Sequence, residues 1–308
     1  MAISKLSKLG VSESIGKTSS FKDESVEADI YAPISYVLVG GGGSGGEGHG
    51  GGGGAGGVLL GTKNLIKGVT YNIYIGAGGA QKNTGSNALG NFGFPTRAFN
   101  LVASGGGAGG GYDFVTFGGG SAGGQGGGLF TAASWPPEAG RGIPNQGNNG
   151  GIKIEVNCGG SGGGGAGGNG VNASGGTYAS GTADGGNGGI GVDISSYLGQ
   201  SAGTTYVGGG GGGGGQRTRG LGGTGGGGNG GQESGAILPT AGSINTGGGG
   251  GGGSAGGSGF TRYGMEGGNG LVIVRTLNTA ASVTGTYALT TSGSYNIYKF
   301  TADGSITF

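Results

Sequence analysis

The chain has 308 residues, of which 98 are glycine, and only 9% of its residues are charged, with a net charge of +1. Collagen is excluded because it needs glycine at every third position, whereas glycine here fills solid blocks such as 208–215 and 247–253. The near-zero charge argues against a nucleic-acid partner, which requires a concentrated basic surface. No apolar run approaches the roughly 18 residues that a membrane span needs.

Disorder of the glycine-rich region is the main alternative to a fold. Glycine loses more conformational freedom on folding than any other residue, and fixing one residue's backbone costs roughly 1–2 kcal/mol. Disordered chains, however, are typically charged and poor in aromatic residues. This chain contains 12 Tyr and 10 Phe, and it places apolar runs such as 37–39 directly against glycine blocks. These features favour a folded chain.

Residues 1–28 are polar and charged, and we predict that they form an attachment arm that contacts other proteins. The opening segment, MAISKLSKL, contains lysines but lacks the apolar core of a secretory signal. We therefore expect no export by that route.

Residues 29–276 are predicted to form one glycine-rich domain in which glycine blocks alternate with short strands. The first strand signal lies at 29–40, with Pro33 near its start, where a strand tolerates proline. Residues 69–75 alternate β-branched or aromatic residues with others, which indicates a strand. Further strand-like runs lie at 58–60, 65–66, 98–103, 152–156, 190–198 and 271–274.

The glycine blocks are predicted to pack as polyglycine II helices, which have the polyproline-II geometry of three residues per turn and no internal hydrogen bonds. Without Cβ atoms, such helices can approach closely enough for every backbone donor and acceptor to find a partner in a neighbour. The expected fold class is therefore all-β or irregular, a sandwich of polyglycine helices framed by short strands, with almost no α-helix. Larger residues such as Ser44 and Glu47 are expected on a ridge that points away from this packing.

The order of blocks and strands resembles the glycine-rich domain of phage tail proteins. The resemblance rests on YVLVGGGGSGGEGHGGGGGAGG at 36–57, VTYNIYIGAGG at 69–79 and GGNGLVIVRT at 267–276. The pattern is also similar to the distal tail-fibre adhesins of T-even-like phages, in which packed polyglycine helices form a sandwich. The resemblance implies a virion protein, made in the host cytoplasm and acting outside the cell, whose loops contact the host surface.

Residues 277–308 are predicted to form a C-terminal β-hairpin segment. In proteins of the resembled kind, a strand pair like YKFTADGSITF precedes the first glycine block, whereas here it lies at 298–308. Asp303 and Gly304 form a two-residue hairpin signal. We expect this element to pair with the strand at 36–39, in the same chain or in a neighbouring copy. The assembly candidates are therefore Tyr36, Val37, Tyr298, Phe300 and Phe308.

No catalytic or cofactor-binding constellation stands out in the sequence, and we expect no enzyme activity, no cofactor and no metal. His49 is the single histidine and is expected to face solvent, while Cys158 is expected to be a small buried residue. The segment GVSESIGKT at 10–18 has five residues between its glycines, whereas a phosphate-binding loop needs four. We therefore interpret it as an accidental match to that motif.

Large residues that flank or interrupt the glycine blocks are the candidates for receptor binding. A tryptophan beside two prolines is a rigid anchor of the kind enriched at binding hot spots. The same aromatic side chains could instead seal a glycine core that has none of its own, and the sequence leaves both roles open. The candidates are Tyr112, Phe114, Phe117, Phe130, Trp135, Arg217, Arg219, Phe260, Arg262 and Tyr263.

The leading functional hypothesis is a phage tail-fibre or tail-tip protein that binds a host-surface receptor, either protein or polysaccharide. It is expected to contact other virion tail proteins through residues 1–28 and to form a homo-oligomer. The alternative is a purely structural virion or filament protein that self-assembles through the glycine-rich domain and the displaced C-terminal strand. A depolymerase is a third reading, disfavoured because no catalytic constellation is recognisable.

Overall fold

The computed structural model of the chain describes residues 30–85, 87–112, 116–128, 140–254 and 262–308. The predicted arm at 1–28 lies outside the described residues. So do four of the predicted binding residues, namely Phe114, Phe130, Trp135 and Phe260.

The regular elements bounded within these ranges are ten β-strands and one 3-10 helix at Ser195–Leu198, which confirms the predicted all-β class. In chain order the strands are β1 (Tyr31–Val39), β2 (Val58–Ile66), β3 (Thr70–Tyr74), β4 (Thr96–Ala98), β5 (Leu101–Ala103), β6 (Val192–Asp193), β7 (Tyr206–Val207), β8 (Leu271–Thr276), β9 (Ser282–Ser292) and β10 (Tyr295–Thr307).

Eight of these strands form one antiparallel sheet in the order β2-β1-β8-β10-β3-β4-β5, with β9 paired to β10. β10 pairs with β8 through its first half and with β3 through its second half, while β9 runs along both halves. β4 and β5 also contact β1, so the sheet curls back on itself. β6 and β7 form a separate two-stranded ladder.

Both faces of β1 and β8 are buried where the two strands pair, because the successive residues 37–39 and 271–274, which point to alternate faces, are all apolar and buried. Leu38 of β1 packs with Val272 and Phe300 inside the curled sheet. Val37 of β1 and Ile273 of β8 face the other way and pack against Ile194, next to the 3-10 helix. This sheet is the main side-chain core of the chain, and the glycine blocks extend from it.

Backbone hydrogen bonds join the glycine runs to one another with a repeat of three residues. In the first run, the N–H groups at 40, 43 and 46 donate to the run 50–57, those at 41, 44 and 47 to the run 88–94, and those at 42, 45 and 48 to the run 262–268. Three residues per turn with bonds only to neighbours is the geometry of a polyproline-II helix. We infer that geometry for the glycine runs from this repeat.

The run 50–57 lies at the centre of this arrangement, which we call the glycine array. Its N–H groups donate to three runs, and its carbonyl groups accept from three others. The runs that accept are 104–110, 161–164 and 247–253, and the runs that donate are 40–46, 121–124 and 211–214. The central run is therefore bonded on six sides, so its buried backbone groups find partners without side chains.

The close approach of the runs explains why they consist of glycine. A Cβ at Gly52 would lie 2.0 Å from the carbonyl oxygen of Gly211, and one at Gly160 would lie 1.9 Å from that of Gly50. Contacts this short against backbone force the runs apart, and parting them breaks the hydrogen bonds that join them. Glycine here is required by packing rather than by backbone conformation.

Asparagine side chains continue the hydrogen bonding at partly exposed positions of the array. The Oδ1 atom of Asn187 accepts from Leu221 N–H at 2.8 Å, and that of Asn229 accepts from Gly222 N–H at 2.9 Å. Each amide oxygen takes the place of a carbonyl from a further run.

The array has two ends. At the base end the runs join the sheet, where Gly40 N–H donates to Gly57 at 3.0 Å and β1 and β2 begin their pairing at Val39 and Val58. At the opposite end, the tip, the chain reverses in a series of turns. The described turns at the tip are 48–49, 81–85 with 87–88, 153–157, 175–182, 216–219 and 232–237.

Two predictions about the C-terminal element are wrong. β10 pairs with β8 and not with β1, because β8 lies between them and pairs with both. The hairpin turn is at Gly293 and Ser294, where Gly293 has a φ of 59°, and joins β9 to β10. Asp303 instead lies within β10 near a shift in register, where its Oδ1 accepts from Ile75 N–H at 2.7 Å.

Three predictions within the glycine-rich region are also wrong. Of the strand-like run 190–198, only Val192–Asp193 form a strand, and Ser195–Leu198 form the 3-10 helix. Residues 152–156 form no strand and belong to a turn at the tip, where Ile154 is exposed. Ser44 and Glu47 do not point to solvent but are buried, because hydroxyl and carboxylate oxygens there accept hydrogen bonds from the run and turn beside them.

Candidate functional site

The tip brings together large polar and aromatic residues from several turns between the glycine runs. Its turns are connected by backbone hydrogen bonds: Gly48 N–H donates to Arg262 at 2.9 Å, Tyr178 N–H to Asn157 at 2.8 Å, and Ser234 N–H to Gln216 at 2.9 Å. We call this surface the tip face. Its described members with large side chains include His49, Asn87, Tyr112, Tyr178, Arg217, Arg219, Arg262 and Tyr263.

Glu47 anchors the turn 81–88 to the first glycine run. Its carboxylate is buried and accepts from Thr84 N–H, from Thr84 Oγ1 at 2.8 Å, from Gly85 N–H at 3.3 Å and from Ala88 N–H at 3.1 Å. Burial by itself would raise the pKa of Glu47, but these hydrogen bonds together outweigh it and hold the pKa below its usual value. Glu47 is therefore a buried carboxylate that is stable in its charged form.

The turn should respond to the charge of Glu47. Because the folded-state pKa is depressed, the stabilisation is complete above the pKa of an unfolded glutamate and is lost as pH falls through the folded value. We expect Glu47→Gln to raise hydrogen exchange at Thr84, Gly85 and Ala88 several-fold at pH 7, after correction for intrinsic rates.

A matched control for this prediction is Glu266→Gln, because Glu266 is an exposed glutamate elsewhere in the array. It should leave exchange at Ala88 unchanged. Equal exchange in wild type and Glu47→Gln at pH 7 would show that the carboxylate does not hold the turn.

His49 lies at the centre of an aromatic group on the tip face, and its predicted exposure to solvent is wrong. The ring is only 8% exposed. Its centroid lies 3.6 Å from that of Tyr178 and 4.8 Å from that of Tyr112, and Nδ1 lies 3.2 Å from the carbonyl oxygen of Cys158. Tyr178 follows His49 by more than a hundred residues, so no local signal could have predicted this burial.

Cys158 is buried, as predicted. Burial raises the pKa of its thiol above the usual value. The thiol is therefore held in its neutral form, which is the poor nucleophile.

Arg217 pairs with Asp184 at the edge of the tip face. Its Nε donates to Asp184 Oδ1 at 3.0 Å and its Nη2 donates to Oδ2, which makes the contact bidentate. The hydrogen bonds from Arg217 hold the pKa of Asp184 below its usual value. The Arg217 side chain is 53% exposed. One edge of its guanidinium group therefore faces solvent, while the other edge is held by Asp184.

The other predicted binding residues divide between two places. Arg262 donates from Nη2 to Asn87 Oδ1 at 3.1 Å, and Arg219 and Tyr263 are half-buried within or next to turns of the tip. Phe117 lies elsewhere, on the side of the array, where its ring is 5.8 Å from that of Phe92 and both are exposed. Phe92 was not among the predicted residues, because nothing in the sequence links its run to that of Phe117.

The predicted assembly residues belong mainly to the core of the sheet. Val37, Tyr298 and Phe300 are buried, Phe308 is 7% exposed, and Tyr36 is half-buried. Their side chains pack within their own chain.

Two further observations concern the described ranges. No helix in them is long and apolar enough to cross a membrane. No group of three or more His, Cys, Asp or Glu residues in that part of the chain could hold a metal ion.

Comparison with known proteins shows the family. A family model described as a glycine-rich domain matches residues 25–277. The chain belongs to this glycine-rich domain family. The match covers most of the chain and ends one residue after β8, so the β9–β10 hairpin lies outside it. Neither the curated proteins nor the solved structures give a match.

Proposed function

We propose that this glycine-rich domain protein is a virion protein of a phage tail fibre or tail tip, and that its tip face binds a receptor on the host cell surface. The observation that carries the proposal is the collection of non-glycine turns on one face, opposite the sheet. The proposal also rests on the resemblance of the block order to phage tail proteins.

The architecture supports a binding surface at the tip. The glycine runs contribute mainly backbone atoms to the array. Side chains that could recognise a ligand therefore lie largely in the turns and in the sheet. Turns from distant parts of the chain meet at the tip and are fixed by buried groups such as Glu47 and His49. Loops held on a rigid scaffold are the usual carriers of binding function.

The experiment that tests this proposal measures binding of fluorescently labelled protein to a panel of intact bacterial strains. We expect saturable binding to particular strains, reduced at least about tenfold by the double substitution Arg219→Ala and Tyr263→Ala, a loss of about 1.4 kcal/mol or more. The matched control is Tyr74→Ala, because Tyr74 is 51% exposed on β3, next to the base of the array.

Each outcome of the binding experiment decides for or against the tip face. Loss of binding in the tip variant and retention in the Tyr74 variant would support the proposal. No saturable binding to any strain, or an equal loss in both variants, would contradict it. Melting temperatures of both variants must match wild type, which excludes unfolding as the cause.

The alternative of a self-assembling filament relied on the glycine-rich domain and on the displaced element at 298–308 joining a neighbouring copy. The second of these supports is lost, because β10 is paired within its own chain to β8, β3 and β9.

A further inference from the structure

We propose that two copies of this chain associate through β9, edge to edge and antiparallel, about a two-fold axis. The proposal is independent of receptor binding at the tip face.

β9 presents a long edge that pairs with nothing in the described part of the chain. Its eleven residues, SVTGTYALTTS, pair with β10 only. All residues from 284 to 291 are exposed. An edge of this kind carries a row of unpaired N–H and C=O groups, which is a template for pairing with another strand.

The other edges of the sheet carry devices that block pairing, whereas the part of β9 from Thr286 to Ser292, beyond the irregularity at Gly285, carries none. Natural sheets protect their edges with lysine, proline or very short strands. β2 carries Lys63, and β5 is only three residues long. β9 contains no charged residue and no proline, and its length exceeds that of either.

A second copy of the same strand fits this edge better than an arbitrary partner. Two antiparallel copies related by a two-fold axis offer each other the same pattern of donors and acceptors. Because β9 is uncharged, the pairing opposes no like charges. No positive or negative stripe exists on β9 that would select a partner of opposite charge.

Exposed apolar side chains on β9 supply a further reason for association. Tyr287 is 40% exposed and Leu289 is 51% exposed. Tyr287 packs against Phe300 with a centroid distance of 5.7 Å, and Leu289 lies opposite Tyr298 in the ladder. These two side chains therefore continue the core beyond β10, and the same side chains of a second copy would cover them.

The location of β9 makes such a pair compatible with a free tip face. β9 joins β10, which joins β8, and β8 begins where the array meets the sheet. The paired strands would lie at the base, and the two tip faces would remain open.

The test is the mass of the full chain in solution, measured by sedimentation from roughly 1 to 100 μM, a range that populates a dimer with a micromolar dissociation constant. We expect the mass to rise from 28.7 kDa to twice that value. Leu289→Lys and Thr290→Lys place a charge on opposite faces of β9, and each should raise the dissociation constant at least about tenfold.

The matched control is Ile244→Lys, because Ile244 is 76% exposed in a turn outside β9 and undergoes a similar change in charge. It should associate like wild type. A mass of 28.7 kDa throughout would overturn the proposal, as would association by both β9 variants equal to wild type or an equal effect of the control. Using two β9 variants keeps the test valid if one of them fails to fold.

Discussion

Gly53→Ala is expected to destabilise the chain by at least about 3 kcal/mol, at the upper end of the cost of overpacking. Gly53 lies in the central run and does not have a positive φ, so alanine is allowed by its backbone conformation. The new Cβ, however, would lie 2.1 Å from the carbonyl oxygen of Gly43. The runs must separate, which weakens the bonds that Gly53 makes to Gly250 and Gly211 at 2.8 and 2.9 Å.

The matched control for this substitution is Gly168→Ala. Gly168 also lacks a positive φ, but it lies in a turn near the base, and its nearest contact would be the flexible side chain of Ile190 at 3.2 Å. The control should change stability by less than about 1 kcal/mol and can be slightly stabilising, because alanine restricts the unfolded chain. Denaturant unfolding followed by circular dichroism measures both variants. Equal stability of the two would contradict the close packing of the array.

Phe300→Ala is expected to cost about 3–5 kcal/mol, as is typical for a fully buried phenylalanine. Phe300 is completely buried inside the curled sheet, where its neighbours are Val272 and the ring of Tyr287. The substitution leaves a cavity at the meeting point of β8, β9 and β10. The matched control is Leu277→Ala, because Leu277 is 61% exposed and should change stability by no more than about 0.5 kcal/mol.

The Phe300 experiment also separates two roles for the C-terminal strand. If Phe300 serves the core of its own chain, its loss lowers the unfolding midpoint at every protein concentration. A loss of stability confined to high concentrations, where copies associate, would instead indicate a role between chains and contradict the packing described here.

The sequence predicts the architecture where side chains repeat with a regular pattern. Alternating or continuous apolar residues locate β1, β3 and β8, and the glycine blocks indicate close packing of extended runs. The neighbours of each run could not be predicted, because glycine carries no side chain by which one run could be distinguished from another. The burial of His49 depends on that arrangement, since Tyr178 reaches it from a distant turn.

Turn signals gave a mixed result for a related reason. Asp303 and Gly304 match a hairpin turn, but β9 and β3 pair with the residues around them and hold the chain extended. The β-branched residues at 152–156 likewise suggest a strand, yet they close a turn at the tip. The large residues that interrupt the glycine blocks did indicate the tip turns around Arg217 and Arg262. The array is packed too tightly to hold most large side chains inside it, so they lie at its ends or on its surface.

Hydrogen exchange of the central run 50–57 tests the glycine array most directly. Each of its N–H groups from Gly50 to Gly57 donates to one of the three runs 104–110, 161–164 and 247–253, and these residues are buried. We predict that these amides exchange among the slowest in the chain, at rates set by global unfolding. Exchange within seconds at neutral pH, as in an unstructured glycine-rich segment, would contradict the array and with it the tip face that it supports.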